Sequence, residues 1–160
     1  MQIKLHEIKS FKIENFNFYL LYGVNSGLIE ETINKIFKSK FSKNIINFEE
    51  TEIFNKIDSF KEMIFNKSFF DDDKLIIIKR ASDKILDLIK EIIEKKLDNI
   101  KIIITSGMLE KKSKLRSFFE KDQQTITIPF YEDNYQSLSI LVQNFLKEKK
   151  IKISGENINL

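Results

Sequence analysis

The chain has 160 residues, 42% of them apolar and 32% charged, with 15 Phe and 4 Tyr, which is room for one domain with a real core and the start of another and excludes most multidomain enzymes. It has no cysteine and a single histidine, His6, so disulfide scaffolds, thiolate metal sites, Cys nucleophiles and His-rich metal sites are excluded, and a Ser/His/Asp triad is disfavoured. The net charge of +3, from 27 basic and 24 acidic residues, does not by itself argue for a nucleic-acid partner.

Residues 1–17 form an N-terminal segment with charges inside the first ten positions and no continuous apolar stretch, so no signal peptide is expected. The longest uninterrupted apolar run, Phe18 to Tyr22, is far too short for a membrane span. The expectation is a cytoplasmic protein without membrane association. Beyond residue 17, apolar runs of strand length alternate with amphipathic stretches of helix length, the pattern of βαβ units and a mainly parallel sheet. The expected strands are Phe18–Tyr22, Asn44–Phe48, Leu75–Ile78, Ile100–Ile104 and Thr125–Ile128. The runs at 75–78 and 102–104 are apolar without alternation, as strands covered on both faces require, and should be central. Five such strands with intervening helices make an α/β three-layer sandwich.

Two of the helices have readable faces. In the stretch Glu52 to Lys67, Ile53, Ile57, Phe60 and Ile64 recur at helical spacing and define one buried stripe. From about Asp83 to Leu97, Ile85, Leu86, Ile89, Ile92 and Ile93 do the same, with Ser82 and Asp83 as candidate caps. Pro129 closes the last strand, residues 129–134 form a boundary, and a final helix is expected over Gln136 to Lys149. The division into domains is therefore 1–132 and 133–160.

Strand, glycine, short turn and helix is the layout of a phosphate-binding loop, and the residues from Tyr22 to Glu31 occupy that place. The spacing fails chemically. With Gly23 as the first glycine of GxxxxGK[ST], the second glycine falls on Leu28, the lysine on Ile29 and the hydroxyl on Glu30. Anchoring on Gly27 instead puts Leu28 and Ile29 at the lysine and hydroxyl positions. An NTPase also needs an acid at the end of a buried strand to hold magnesium, whereas the run at 75–78 is followed by Lys79 and Arg80. Both halves of the site fail together. The expectation is a P-loop-like domain with a degenerate loop at Gly23, Gly27, Leu28 and Ile29, no nucleotide or other cofactor, no metal and no catalytic residue.

The ordered set of Tyr19-Leu20-Leu21-Tyr22-Gly23, Leu28-Ile29-Glu30-Glu31, Ser68-Phe69-Phe70, Leu75 to Ile78, Ile102 to Gly107, Leu109 to Arg116 and Phe145 to Ser154 resembles the delta subunit of the bacterial DNA polymerase III clamp loader. Lys111-Lys112-Ser113-Lys114-Leu115 is its most telling fragment. The resemblance implies an AAA+ fold with strand order 5-1-4-3-2, followed by the start of a helical lid at 133–160, in a chain about half the family's length. It implies a subunit of a DNA polymerase complex that hydrolyses no ATP itself. Such a subunit binds and opens the sliding clamp (beta subunit) for loading on primed DNA. Its other partners would be the gamma/tau and delta prime subunits, with DNA touched weakly or indirectly.

Continuing the stripe of residues 53–64 at the helical period, Phe69 and Phe70 would point roughly 160° and 260° from its start, off the core face. Two adjacent aromatics at a helix end, followed by Asp71-Asp72-Asp73, suit an exposed anchor with a polar rim. By resemblance, this is the pair that enters the clamp's peptide pocket, with Met63 and Phe65 flanking it. The competing expectation is that the helix ends at Asn66 and the pair folds under the sheet.

Other candidates carry less. The three aspartates diverge on an extended chain and read as a turn rather than a metal site. Thr105 and Ser106 end a central strand where an AAA+ ATPase has its polar sensor, and are expected to cap the turn. Arg116 is read as part of an amphipathic helix with Leu115, Phe118 and Phe119 inward, in preference to an arginine finger. Lys111, Lys112 and Lys114, with Lys147, Lys149, Lys150 and Lys152, suit either DNA phosphates or a solvated face. The runner-up reading of the whole chain is a nucleotide-binding P-loop ATPase with a divergent loop.

Overall fold

The computed structural model describes residues 1–8, 10–41, 44–65, 73–132, 135–149 and 151. The chain divides into two compact units, Met1–Phe130 and Tyr131–Leu160. In the first, five strands, β1 (Phe18–Gly23), β2 (Asn44–Glu49), β3 (Lys74–Lys79), β4 (Ile100–Ser106) and β5 (Thr125–Phe130), form one sheet in the order β2-β3-β4-β1-β5. All four pairings are parallel. Each strand matches its sequence expectation to within two residues, β3 and β4 are interior as their unbroken apolar runs require, and the order is the one the family resemblance implies. Pro129 lies within β5, an edge strand, where a missing N–H is tolerated.

Alternate residues of β1, β3 and β4 enter different cores. Leu20, Tyr22, Ile76, Ile78, Ile102 and Ile104 pack on one face beneath α3 (Glu50–Asn55), α4 (Ile57–Phe65), α5 (Leu86–Glu94) and α6 (Lys114–Lys121). Tyr19, Leu21, Leu75, Ile77, Ile103 and Ile126 pack on the other, beneath α1 (Ser26–Thr32), a π-helical stretch Ile33–Phe37 and α2 (Lys38–Phe41). The N-terminal segment completes that second layer with Ile3, Ile8 and Ile13, all buried. It is tied down by polar groups. The Tyr19 hydroxyl donates to the Ile13 carbonyl at 2.6 Å, and the Lys101 ammonium donates to the Glu14 and Phe16 carbonyls at 3.0 and 2.8 Å. The Met1 ammonium donates to the carbonyls of Phe119, Asp122 and Thr125, where the negative end of α6 favours a cation.

The helix expected over Glu52 to Lys67 is two helices. Lys56, at φ −138° and ψ 46°, separates α3 from α4, yet Ile53, Phe60 and Ile64 remain buried on one line and Ile57 half-buried beside them. The start moves back to Glu50 because the Glu49 N–H donates to the Glu52 carboxylate at 2.7 Å, one arm of a capping box. Asp83, expected to cap its own helix, instead caps α6; Ser82 is the cap, accepting from the Lys84 N–H. In the second unit, α7 (Tyr135–Glu148) spans most of the described residues. No helix among the described residues is long and apolar enough to cross a membrane.

Candidate functional site

The strand ends carrying Gly23, Arg80 and Gly107 surround a cleft of about 340 Å³, at the position where an α/β sheet of this order places a nucleotide. Gly23 has φ +143°, and a Cβ built there would sit 1.9 Å from the Phe130 carbonyl oxygen, so β5 passes too close for any side chain. The Gly23 N–H donates to the Gly107 carbonyl at 3.2 Å. From there the chain turns directly into α1 through Val24 and Asn25. The Asn25 side chain caps the helix, accepting from the Leu28 N–H at 3.1 Å. An N–H that would face a phosphate is thus already taken by the protein. Asn25 was legible as a cap, an Asn three residues before the start of an apolar run, but it was not among the expected site residues.

The rest of the degenerate loop follows the same logic. Gly27 lies in α1, where a Cβ would meet only Asn25 Oδ1 at 3.9 Å, an ordinary contact, so no close approach demands a glycine there. Leu28 is half-buried, and Ile29, at the position a phosphate-binding lysine would take, is buried in the second core. Across the cleft, Lys79 and Arg80 end β3 where an acid would hold magnesium. Arg80 adopts φ +54°, and its guanidinium lies 3.4 Å from the Glu49 carboxylate. The Ser106 hydroxyl donates to the Ala81 carbonyl at 2.6 Å and ties the ends of β3 and β4 together, a structural use of the sensor-like position. The cleft therefore has the place of a nucleotide site, while Asn25 takes the Leu28 N–H and the lysine position is occupied by Ile29, buried in the second core at the cleft wall.

Arg116 is held inside the domain. Its Nε donates to Glu120 at 2.7 Å, a terminal nitrogen donates to the Leu109 carbonyl at 3.1 Å, and the guanidinium stacks 5.1 Å from the Tyr22 ring centroid. With its side chain only 18% exposed, it anchors α6 and is not presented to a neighbour. Leu115 and Phe119 are fully buried and Phe118 half-buried, as the amphipathic reading requires. Among the described residues no group of three or more His, Cys, Asp or Glu could hold a metal ion.

The aromatic pair Phe69 and Phe70, with Asp71 and Asp72, lies outside the described residues. What is described is the helix that precedes it in the sequence. α4 is fixed to the first core by Phe60 and Ile64, and by a Lys61–Glu91 ion pair of 2.6 Å to α5. Met63 and Phe65 are half-buried against the same core; the Lys95 ammonium lies 5.8 Å from the Phe65 ring, and Met63 lines a groove of about 500 Å³ with Phe48 and Phe60. β3 begins at Lys74, at the end of the parallel sheet opposite the strand ends near Gly23 and Arg80.

Residues 19–130 match the family model described as DNA polymerase III, delta subunit. A comparison with curated proteins finds no match. Among solved structures, the chain is similar to the DNA clamp loader delta protein YqeN of Bacillus subtilis, with a TM-score of 0.66 and 17% identity over 96% of this chain and 49% of that one. It is also similar to an AMPPCP-bound DnaA from Aquifex aeolicus, with a TM-score of 0.52 and 15% identity over 96% of this chain and 52% of that one. The chain spans about half the length of both structures, and at these identities the likeness is one of fold.

Proposed function

Because the chain belongs to the DNA polymerase III delta-subunit family, we propose that it is the clamp-binding, non-hydrolysing part of a clamp loader acting in the cytoplasm. In this reading Phe69 and Phe70 enter an apolar pocket of the sliding clamp (beta subunit), with Met63 and Phe65 at the base of the anchor. Binding there opens the ring or holds it open for loading onto primed DNA. The partners would also include the gamma/tau and delta prime subunits, which would supply the ATP hydrolysis.

The observation that carries this reading, beside the family match, is the cleft: Asn25 satisfies the first-turn N–H and Ile29 is core. A cleft built this way favours a role in contact with other proteins over nucleotide chemistry. A helix pinned by Phe60 and Ile64 supports such a contact, since a rigid base lowers the ordering cost of presenting aromatic anchors. The experiment is capture of purified sliding clamp from the same organism by the immobilised chain. Retention is expected; passage of the clamp at micromolar concentration would contradict the reading.

A further inference from the structure

The two edges of the sheet are finished differently. Along β5 the N-terminal segment adds a short parallel stretch: Gln2 bridges to Thr127, the Ile3 N–H donates to the Thr127 carbonyl at 3.0 Å, and the Thr127 N–H donates to the Met1 carbonyl at 2.9 Å. Along β2 no described residue does the same. The Lys74 N–H donates to the Asn99 carbonyl at 2.9 Å, so the even-numbered residues of β3 turn their backbone groups toward β4 and the odd-numbered ones toward β2. Ile45 lies level with Leu75 and Asn47 with Ile77, so in this parallel ladder residues 44, 46 and 48 bond to β3, and Ile45, Asn47 and Glu49 turn outward. Glu49 occupies its N–H with the Glu52 carboxylate at 2.7 Å. The N–H and C=O groups of Ile45 and Asn47 have no partner among the described residues. Edges are ordinarily blunted by proline, lysine or a bulge; β2, Asn44-Ile45-Ile46-Asn47-Phe48-Glu49, has an unbroken register, neither residue type, and its one charge at the end.

The strand is complementary to itself. Parallel pairing of two copies in register would set Glu49 beside Glu49, whereas antiparallel pairing sends the two carboxylates to opposite ends. A two-fold axis through Asn47 sets Asn47 opposite Asn47, and their outward N–H and C=O groups exchange both hydrogen bonds. Ile46 then falls opposite Phe48 of the second copy, twice over, at the closer spacing of a non-hydrogen-bonded pair, a β-branched side chain against an aromatic one. Ile46 and Phe48 are only half-buried in the single chain, so each has apolar surface left to cover. On the face that carries Phe48, a groove of about 500 Å³ lined by Phe48, Ile53, Phe60 and Met63 flanks the edge and can receive a side chain from an added strand. A strand of unrelated sequence would meet the same backbone groups without this reciprocal apolar pair.

We propose that the outer edge of β2 is an interaction surface for a second copy of this chain, paired antiparallel about Asn47. One pair of short strands falls at or below the low end of stable interfaces, about 1,200 Å², so the association is weak, with a dissociation constant of about 100 µM. Sedimentation of the full chain from about 5 µM to about 500 µM should show a monomer giving way to a dimer. Asn47→Pro removes an N–H that the fold itself does not use, and Asn47→Lys brings two ammonium groups together at the axis; each should weaken dimerisation at least about tenfold, with thermal unfolding at low concentration checking that the chain still folds. Because the chain has no cysteine, Asn47→Cys supplies a second readout. Cα atoms of a hydrogen-bonded antiparallel pair lie about 5.5 Å apart, within disulfide reach, so mild oxidation should give a covalent dimer. Gln124→Cys, exposed just before β5, should not cross-link. A wild type that stays monomeric throughout, variants at Asn47 that associate as the wild type does, or equal cross-linking at both cysteines would overturn the proposal. So would a monomeric wild type that takes up an unrelated extended peptide along β2, which would give the edge to another protein.

Discussion

The carboxylate of Asp83 accepts a hydrogen bond from the hydroxyl of Ser113 at 2.6 Å, and also takes the N–H groups of Lys114 and Leu115 at 3.0 Å each. One acid at the exit of β3 thereby caps the helix that follows β4. Removing it as Asp83→Ala should cost about 1 to 2 kcal/mol in urea unfolding at neutral pH. The hydrogen bond from Ser113, then that from the Leu115 N–H, holds the Asp83 carboxyl below its ordinary value of 3.8. A depressed carboxyl contributes stability above the unfolded value and loses it as pH falls through the folded one. The gap between wild type and Asp83→Asn should therefore be full at neutral pH and shrink as the pH is taken below 3.8.

Gly23 and Gly27 should respond oppositely to the same change. Gly23→Ala forces a methyl group to within 1.9 Å of the Phe130 carbonyl and strains a positive φ, so it should lower stability by more than about 3 kcal/mol or abolish folding. Gly27→Ala adds a methyl group on α1 at ordinary contact distance, 3.9 Å, from Asn25 Oδ1 and should be neutral or stabilising by up to about 1 kcal/mol. Thermal unfolding of the two variants decides it.

The strands could be read from the sequence because a strand buried on both faces leaves an unbroken apolar run, and nothing else in a chain of this composition makes Leu75-Ile76-Ile77-Ile78. The break at Lys56 could not, since no Gly or Pro marks it and the stripe from Ile53 to Ile64 continues across it. Nor could the reach of Asp83 to Ser113: a cap within one's own helix is a local pattern, whereas this one depends on two strands lying side by side. At the candidate site, the failure of the phosphate loop was legible as missing residues, but its closure by Asn25 is a matter of geometry. The aromatic pair was marked by its departure from the helical stripe and lies outside the described residues, whereas Met63 and Phe65 are described and half-buried against the first core.

The closed cleft makes a prediction against the nucleotide reading. Titration of the chain with a fluorescent ATP analogue and magnesium should give no saturable binding in the micromolar range. Ile29→Lys, which returns a lysine to one of the loop's phosphate positions, replaces a side chain buried in the second core at the cleft wall and should lower the unfolding midpoint. Saturable binding by wild type would show that the loop opens despite Asn25.

The central proposal is that Phe69 and Phe70, which follow α4 in the sequence, serve an external partner. Surface plasmon resonance of the double variant Phe69→Ala/Phe70→Ala over immobilised sliding clamp, with a thermal unfolding curve on the same sample, tests it most directly. The account predicts a loss of clamp affinity of at least about a hundredfold, the scale of two anchor residues, with the unfolding midpoint essentially unmoved. Undiminished clamp binding, or a collapse in thermal stability that marks both rings as core, would contradict it.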